Sequence, residues 1–556
     1  MKNPYMKVDK KGPADINPGF PTTLANLFML FGRSAGGLLA ACAIASAQED
    51  ISRTPNMYDE DEPAPVASAS KGEMTARRDC SLCHLYVQPS MLTKSNWYAQ
   101  ILPRMKVELG IARPDYASSP DGELIRQRRI YPERPRVRVD DWPWIEEFYL
   151  QNAPDKPLPL PPRPEIKIGL PLFDVVSARF RTAPPSTTLV RINTNTHRIY
   201  VGDDNTRSLY ILGPDGTPLE RLAIGNVPTD VVEKEGGIYV VCIGSFLPTE
   251  VYCAELVFLP KQGDSFGPKK VVLSGLPRAT QVKFADFNCD GRDDFVLCMF
   301  GNRTGRFSWF EKLEDGSYRE HILANKSGAM FCEVRDLNSD GAPDIVLLMS
   351  QELEQLIVLI NDGHGNFAAE EVIREPPVYG HSNFQMADFN ADGRMDLIVC
   401  NGDNGDYDSP TKYYHAIRIF LSQSPTRYVK AWEFPMNGVY AAFPRDYDRD
   451  GDLDIAAISF YPDWINSPRE SFVYLENRGG FNFTPATFPE CISGHWIVMD
   501  AGDLDGDGDI DIVLGCYAAG PGATPAFLQE IWRERAGSIL ILKNTLVERR
   551  SSRHQK

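Results

Sequence analysis

Two groups of residues in this 556-residue chain have types and spacings suited to chemistry. The first is a nine-residue pattern, D-x-[DN]-x-D-G-x-x-D, that occurs five times: DFNCDGRDD from Asp286, DLNSDGAPD from Asp336, DFNADGRMD from Asp388, DYDRDGDLD from Asp446 and DLDGDGDID from Asp503. Oxygen-bearing side chains at positions 1, 3, 5 and 9 converge on a hard cation when Gly at position 6 permits the sharp turn, and the backbone carbonyl at position 7 adds a ligand. Calcium is the natural occupant. The second group is Cys80-Ser81-Leu82-Cys83-His84, a C-x-x-C-H. Two thiols on one helical turn can add to the two vinyl groups of a haem, and the adjacent His can then ligate the iron. Zinc is one alternative, but it would want further Cys or His ligands and none lies between 85 and 196. A redox dithiol is the other, and no βαβ pattern surrounds the motif.

The acidic loops need strands on either side. An EF-hand fails at position 12, where a bidentate Glu is required and the chain offers Leu297, Leu347, Val399, Ala457 and Leu514. The runs that follow the loops, such as DFVLCMF and DIVLLMS, are apolar without alternation, which predicts strands covered on both faces. Loop starts are separated by 50, 52, 58 and 57 residues, near the period of a propeller blade. Residues 172–546 divide into seven units of about 54 residues, which predicts a seven-bladed β-propeller in which two blades carry no acidic loop; six or eight blades are the alternatives. The last unit ends at GSILILKNTL without room for an outer strand, so the segment around 173–180 is expected to pair with it and close the ring. Cys242, Cys298, Cys400 and Cys516 recur at matching positions of successive units, too far apart to bridge, and read as small buried hydrophobes rather than disulfides.

The C-x-x-C-H lies in a segment, 71–153, that reads as a small all-α domain. A cap-like Thr93/Ser95 precedes a helical pattern broken at Pro103. A methionine sixth ligand would raise the potential and suit electron transfer, with Met105 and Met91 as the candidates. The Pro-rich run 154–171 is a semi-rigid spacer of polyproline character. Residues 48–70 read as a flexible linker and 547–556 as a basic tail.

Upstream, LANLFMLFGRSAGGLLAACAIASAQ is interrupted by Arg33 and is too short in its apolar run for a transmembrane span. It predicts export, to the periplasm or the cell surface. Ala45-Ser46-Ala47 has the form of a signal-peptidase site, giving a signal peptide over 1–47; Leu39-Ala40-Ala41-Cys42 has the form of a lipobox, giving a signal to 41 and a lipid anchor at Cys42. With 58 basic against 75 acidic side chains and a formal charge of -17, nucleic acid and anionic membrane surfaces are excluded as partners.

The region 172–546 resembles the FG-GAP or VCBS-repeat family of calcium-loop propellers. That resemblance implies side-chain ligands at Asp286, Asn288, Asp290 and Asp294; Asp336, Asn338, Asp340 and Asp344; Asp388, Asn390, Asp392 and Asp396; Asp446, Asp448, Asp450 and Asp454; and Asp503, Asp505, Asp507 and Asp511. Five bound Ca2+ ions would move the charge from -17 to -7. The set CSLCH, QPSML, Trp97, LPRM and WIEEFYLQNAP is similar to the haem c domain fused to VCBS propellers in bacterial exported proteins, a pattern that favours Met105. It implies haem c on Cys80, Cys83 and His84, electron transfer, and a redox partner protein. An adhesive or scaffold propeller with an accessory haem, and an oxidoreductase holding a substrate or quinone, are the other readings; no nucleophile or general-base pair supports catalysis. At the rim of the predicted channel, His381, Tyr440 and His495 stand at the starts of inner strands, and the insertion ending at His415 is placed to cap that face.

Overall fold

The computed structural model describes residues 69–405, 411–520 and 524–548. The segment expected to be a signal, with Cys42, nearly all of the expected 48–70 linker and most of the basic tail lie outside the described residues. Among the described residues no helix is long and apolar enough to cross a membrane.

Seven antiparallel sheets follow one another along the chain. Each begins with an inner strand: Thr187–Asn193, Pro228–Lys234, Ala279–Ala285, Ala329–Arg335, His381–Ala387, Val439–Arg445 and Trp496–Gly502. Each inner strand packs on the next, and that of the seventh sheet packs on that of the first, so the ring is closed. The result is a seven-bladed propeller. The second strands of the five acidic-loop blades, from Asp294–Met299 to Asp511–Cys516, are buried at every residue, as their unbroken apolar runs require of strands between stacked sheets. Cys242, Cys298, Cys400 and Cys516 are free and buried.

Closure occurs as the sequence predicts. Phe173–Ser177 pairs antiparallel with Ile539–Asn544 and supplies the outer strand of blade 7, removing an exposed edge. The Pro-rich spacer runs along the propeller rather than standing off it. Arg163 donates to Pro435 O at 2.6 Å and pairs with Glu470, and Lys167–Ile168 adds a short parallel strand to the outer edge of blade 6.

Residues 71–152 are helical: α1 (Lys71–Cys80), α2 (Lys94–Asn96), α3 (Leu102–Glu108), α4 (Gly122–Gln127) and α5 (Trp142–Asn152). Ser70 caps α1 by accepting from Glu73 N–H at 3.1 Å. The close packing of α1 on α5 depends on Gly72, whose missing Cβ would lie 2.5 Å from Trp144 O and 2.7 Å from Phe148 Cβ. The expected break at Pro103 is absent. A π turn over Trp97–Ile101, with Leu102 N–H reaching Trp97 O, opens the helix enough to admit the proline ring, and α3 continues from it.

In a four-stranded antiparallel blade the connections after strands 1 and 3 lie at one end, and those after strands 2 and 4 at the other. All five acidic loops join strands 1 and 2. The helical unit touches the opposite end: Tyr414 Oη donates to Met91 O at 3.4 Å, Glu250 N–H donates to Asp121 at 2.7 Å, and Arg303 pairs with Glu108 at 2.8 Å. At the centre of this contact the fully buried Glu250 carboxylate accepts from Arg128 Nη1 at 2.9 Å, Thr304 Oγ1 at 2.7 Å and Arg303 N–H at 2.7 Å. A buried carboxylate so satisfied is costly to leave without its cation, and the Arg128 guanidinium also lies 3.9 Å over the Tyr252 ring. The two candidate sites therefore sit on opposite faces of the molecule.

Candidate functional site

Each acidic loop is a turn held together by its own carboxylates. In the first, Asp286 accepts from the amides of Asp290 at 3.0 Å and Gly291 at 2.8 Å, while Asp290 accepts from Arg292 N–H at 2.9 Å. The pattern recurs at Asp336, Asp388 and Asp446. Position 6 is left-handed, with φ of 81° at Gly291 and 99° at Gly451, which explains the invariance of Gly there across the five loops. Position 4 is left-handed as well, at Cys289, Ser339, Ala391 and Arg449, a constraint the sequence pattern did not display because these residues differ.

The loops are not equivalent. In the two all-Asp loops, Asp446, Asp448 and Asp450, and likewise Asp503, Asp505 and Asp507, each bring one oxygen within 4.8 Å of the other two. In the loops from Asp286 and Asp388, position 3 is Asn, and Asn288 and Asn390 each donate to the position-5 carboxylate at 2.9 Å. There Arg292 and Arg394 also reach back to Asp290 and Asp392 at 2.5 Å. The loop from Asp336 has Asn338 but Ala342 at position 7. Lys543 approaches Asp505 at 2.9 Å, and Arg449 approaches Asp509 at 3.4 Å, tying the two all-Asp loops to neighbouring structure.

The ninth-position acids face inward. Asp294 accepts from Lys312 N–H at 2.7 Å, Trp309 Nε1–H at 3.1 Å and Phe287 N–H at 3.3 Å. Asp344, Asp396 and Asp511 each accept from the position-2 amide and from an amide on the third strand, and Asp454 takes Asn477 N–H and Tyr474 O–H at 2.7 Å each. Burial pushes Asp454 and Asp511 up to about 7. These acids fasten the loop to the blade, and Asp454 and Asp511 fall outside the three-carboxylate groups.

At the other face, α1 ends at Cys80, and Cys83 and His84 follow in the next turn. His84 Nδ1 lies 2.8 Å from Leu85 O. A carbonyl only accepts, so Nδ1 carries the proton and Nε2 keeps the lone pair that an iron would take. The segment after His84 is pinned by Trp97 Nε1 to Pro89 O at 2.9 Å and Tyr149 Oη to Val87 O at 2.8 Å. Burial pushes the Cys80 thiol up to about 11, and Arg136 Nη1 is 3.6 Å from Cys83 Sγ. Met91 is buried and Met105 half-buried in the same apolar cluster, to which the propeller contributes Val378 and Tyr414.

The rim residues do not gather into one site. His495 is stacked 3.6 Å from Phe460 and 4.8 Å from Trp532, with Nε2 on Phe460 O at 2.7 Å, and the Tyr440 ring lies 5.9 Å from the same Phe460. His381 stands apart, 3.5 Å from Glu354. Of the insertion expected to cap this end, residues 406–410 lie outside the described residues; Tyr413 and Tyr414, just before His415, pack on the helical unit.

Burial holds His495 down to about 4, and burial followed by Lys412 and Arg418 holds His415 well below its usual value. His381 is held down to about 3 by burial and, after it, by Arg418. A His whose folded pKa lies below its unfolded one contributes stability above about pH 6.5 that is lost as pH falls. Between pH 6.5 and 5, wild type is expected to lose about 2 kcal/mol more than His495→Phe, which retains the stack but does not titrate. Denaturant unfolding at both pH values checks this; parallel losses in the two proteins would assign the charge response elsewhere.

An FG-GAP-like repeat model matches residues 286–347, 336–399 and 446–514, about a third of the chain, and each match runs from one acidic loop into the strand after the next. The chain thus carries FG-GAP-like repeats in a seven-bladed propeller. No curated protein sequence matches it. Among solved structures, Sqt1 of Saccharomyces cerevisiae is similar at 9% identity and a TM-score of 0.39, over 66% of this chain and 97% of that one. The periplasmic gluconolactonase PpgL of Pseudomonas aeruginosa is similar at 12% identity and a TM-score of 0.37, over 55% and 86%. The calcium-binding protein regucalcin of Agrobacterium tumefaciens is similar at 8% identity and a TM-score of 0.35, over 66% and 95%.

Proposed function

We propose that this chain is an exported monohaem c-type electron-transfer protein whose helical unit is mounted on a calcium-braced propeller that offers a docking surface to a redox partner. The observation that carries the reading is the C-x-x-C-H at the end of α1, with Nδ1–H of His84 committed to Leu85 O and Nε2 left as a donor to iron. Two thiols one turn apart and one oriented imidazole suit haem c. Cys80 and Cys83 would tether the group, His84 would ligate it, and Met105 would complete the coordination. Haem held in this way supplies reversible one-electron chemistry whose potential is set by the axial ligands and their surroundings. This chain's part is to fix the histidine tautomer, to exclude water with Trp97, Tyr149 and Tyr414, and to hold the unit on the propeller through Glu250 and Arg128.

Export to the periplasm or cell surface belongs to the same reading, because covalent haem attachment is a property of exported compartments. Calcium in the five loops stiffens the face remote from the helices. The loops from Asp446 and Asp503 fit a hard cation by donor chemistry: three carboxylate oxygens in reach of one another, with a glycine turn to close on them.

A pyridine haemochrome spectrum of protein expressed with a haem-attachment system is expected to show one c-type haem per chain, lost in the Cys80→Ala, Cys83→Ala double variant. Met105→Ala should retain the haem and lower its reduction potential, since a thioether ligand raises it, whereas Met91→Ala should leave the potential near wild type. Protein without covalent haem under those conditions would leave the scaffold reading in place.

A further inference from the structure

Two cysteines face each other across the junction of blades 3 and 4. Side chains alternate along the second strand of blade 3: Phe295, Leu297 and Met299 pack toward blade 2, whereas Val296 and Cys298 pack toward blade 4. Cys332, on the inner strand of blade 4, enters the same apolar cluster from the other side. The two backbones are tied together at this point. Gln281 is the cross-strand partner of Cys298, and its Oε1 accepts from Cys332 N–H at 2.7 Å. The Cys298 thiol meets that of Cys332, and both residues are fully buried.

The other buried cysteines are placed differently. Cys242 and Cys400 each lie in a cluster that holds no second cysteine among the described residues. Cys491 and Cys516 share a cluster, but the Cys491 thiol donates to Arg469 O at 3.7 Å and Cys516 Sγ accepts from His495 N–H at 3.4 Å.

We propose that Cys298 and Cys332 form a disulfide that staples blade 3 to blade 4 as the ring closes. The oxidant is a low-molecular-weight disulfide such as glutathione disulfide. One cysteine thiolate attacks it, forming a mixed disulfide and releasing a glutathione thiolate; the second cysteine thiolate attacks the protein sulfur of the mixed disulfide and releases the other glutathione. Two protein thiols lose two electrons and two protons, and one glutathione disulfide becomes two glutathione thiols. Burial sets the timing. The thiolate is the attacking form, and burial followed by the contact with Cys332 pushes the Cys298 thiol well above its usual value. Neither residue reaches solvent in the finished ring, so the bond forms before blade 4 packs on blade 3. An oxidising, exported compartment suits it, but the proposal depends on neither haem nor calcium.

The test maps the cysteines of the full chain. Reduced, unfolded protein is refolded with reduced and oxidised glutathione, unfolded again without reductant, alkylated with iodoacetamide and digested. A peptide linking Cys298 to Cys332 is expected, lost on reduction and absent from Cys332→Ala. The linked protein should melt roughly 5 °C above protein refolded with reduced glutathione alone, because the bond closes a loop of about 35 residues, and Cys332→Ala should abolish that difference. If refolding fails, the same mapping of protein exported from its expression host decides the matter. Alkylation of both cysteines after either oxidising route, or a link from Cys298 to any other cysteine, would overturn the proposal.

Discussion

Removing divalent cations with a chelator is expected to lower the melting temperature by roughly 10 °C, because ions held only by the folded loops stabilise it by mass action. A site saturated a thousandfold contributes about 4 kcal/mol, so two such sites contribute about 8 kcal/mol. With an unfolding entropy of about 2 cal/mol/K per residue over the roughly 375 residues of the propeller, each kcal/mol is worth about 1.3 °C. Affinity for calcium rises with the number of charged ligands, and the loops differ in that number. Those from Asp446 and Asp503 offer three carboxylates at positions 1, 3 and 5. Those from Asp286 and Asp388 offer two, with Arg292 and Arg394 already resting on one of them. Calcium should therefore leave the Asp286 and Asp388 loops first as chelator strength rises, and the Asp446 and Asp503 loops last. Asp450→Asn and Asp507→Asn should each remove more of the chelator-sensitive stability than Asp290→Asn. A melt indifferent to chelator, in protein whose elemental analysis shows no calcium, would overturn the metal reading of the loops.

Blade number, loop position and ring closure were legible in the sequence because each leaves a one-dimensional trace. A repeated acidic turn before a uniformly apolar run marks the junction of strands 1 and 2, and a terminal unit one strand short implies a partner elsewhere, found at Phe173–Ser177. What escaped is what depends on contacts across long separations. The seat of the helical unit rests on Arg128 and Glu250, 122 residues apart, and no local pattern announces such a pair. Helix α6 (Ala526–Arg535), inserted between the second and third strands of blade 7, buries Trp532 against His495. That packing closes His495 away from the rim, where a count along the sequence had placed it beside His381 and Tyr440. The continuation of the helix through Pro103 was equally invisible, because a wide turn is a property of backbone hydrogen bonding and not of residue type.

The ninth-position acids are the sharpest case, since the motif alone cannot say whether an oxygen faces an ion or an amide. Asp294 is fully buried, and its two oxygens take three N–H donors from the loop and the third strand. Asp294→Ala would leave Phe287 N–H, Lys312 N–H and Trp309 Nε1–H without their acceptor in a place water does not reach. At about 1–3 kcal/mol for each of the three stranded donors, the variant should be destabilised by roughly 3–9 kcal/mol. Asp294→Asn should recover part of this, because its carbonyl still accepts while its amide nitrogen meets donors it cannot serve. The decisive comparison is the same pair of unfolding curves with and without chelator. If Asp294 acts chiefly as a clamp, its loss costs nearly as much in the metal-free protein as in the calcium-loaded one, and the effects of mutation and chelation add. If it acts chiefly through the ion, the cost collapses once the ion is gone. The inward placement of both its oxygens favours the first outcome, and the same experiment on Asp344, which takes the amides of Leu337 and Asn361, should give the same answer.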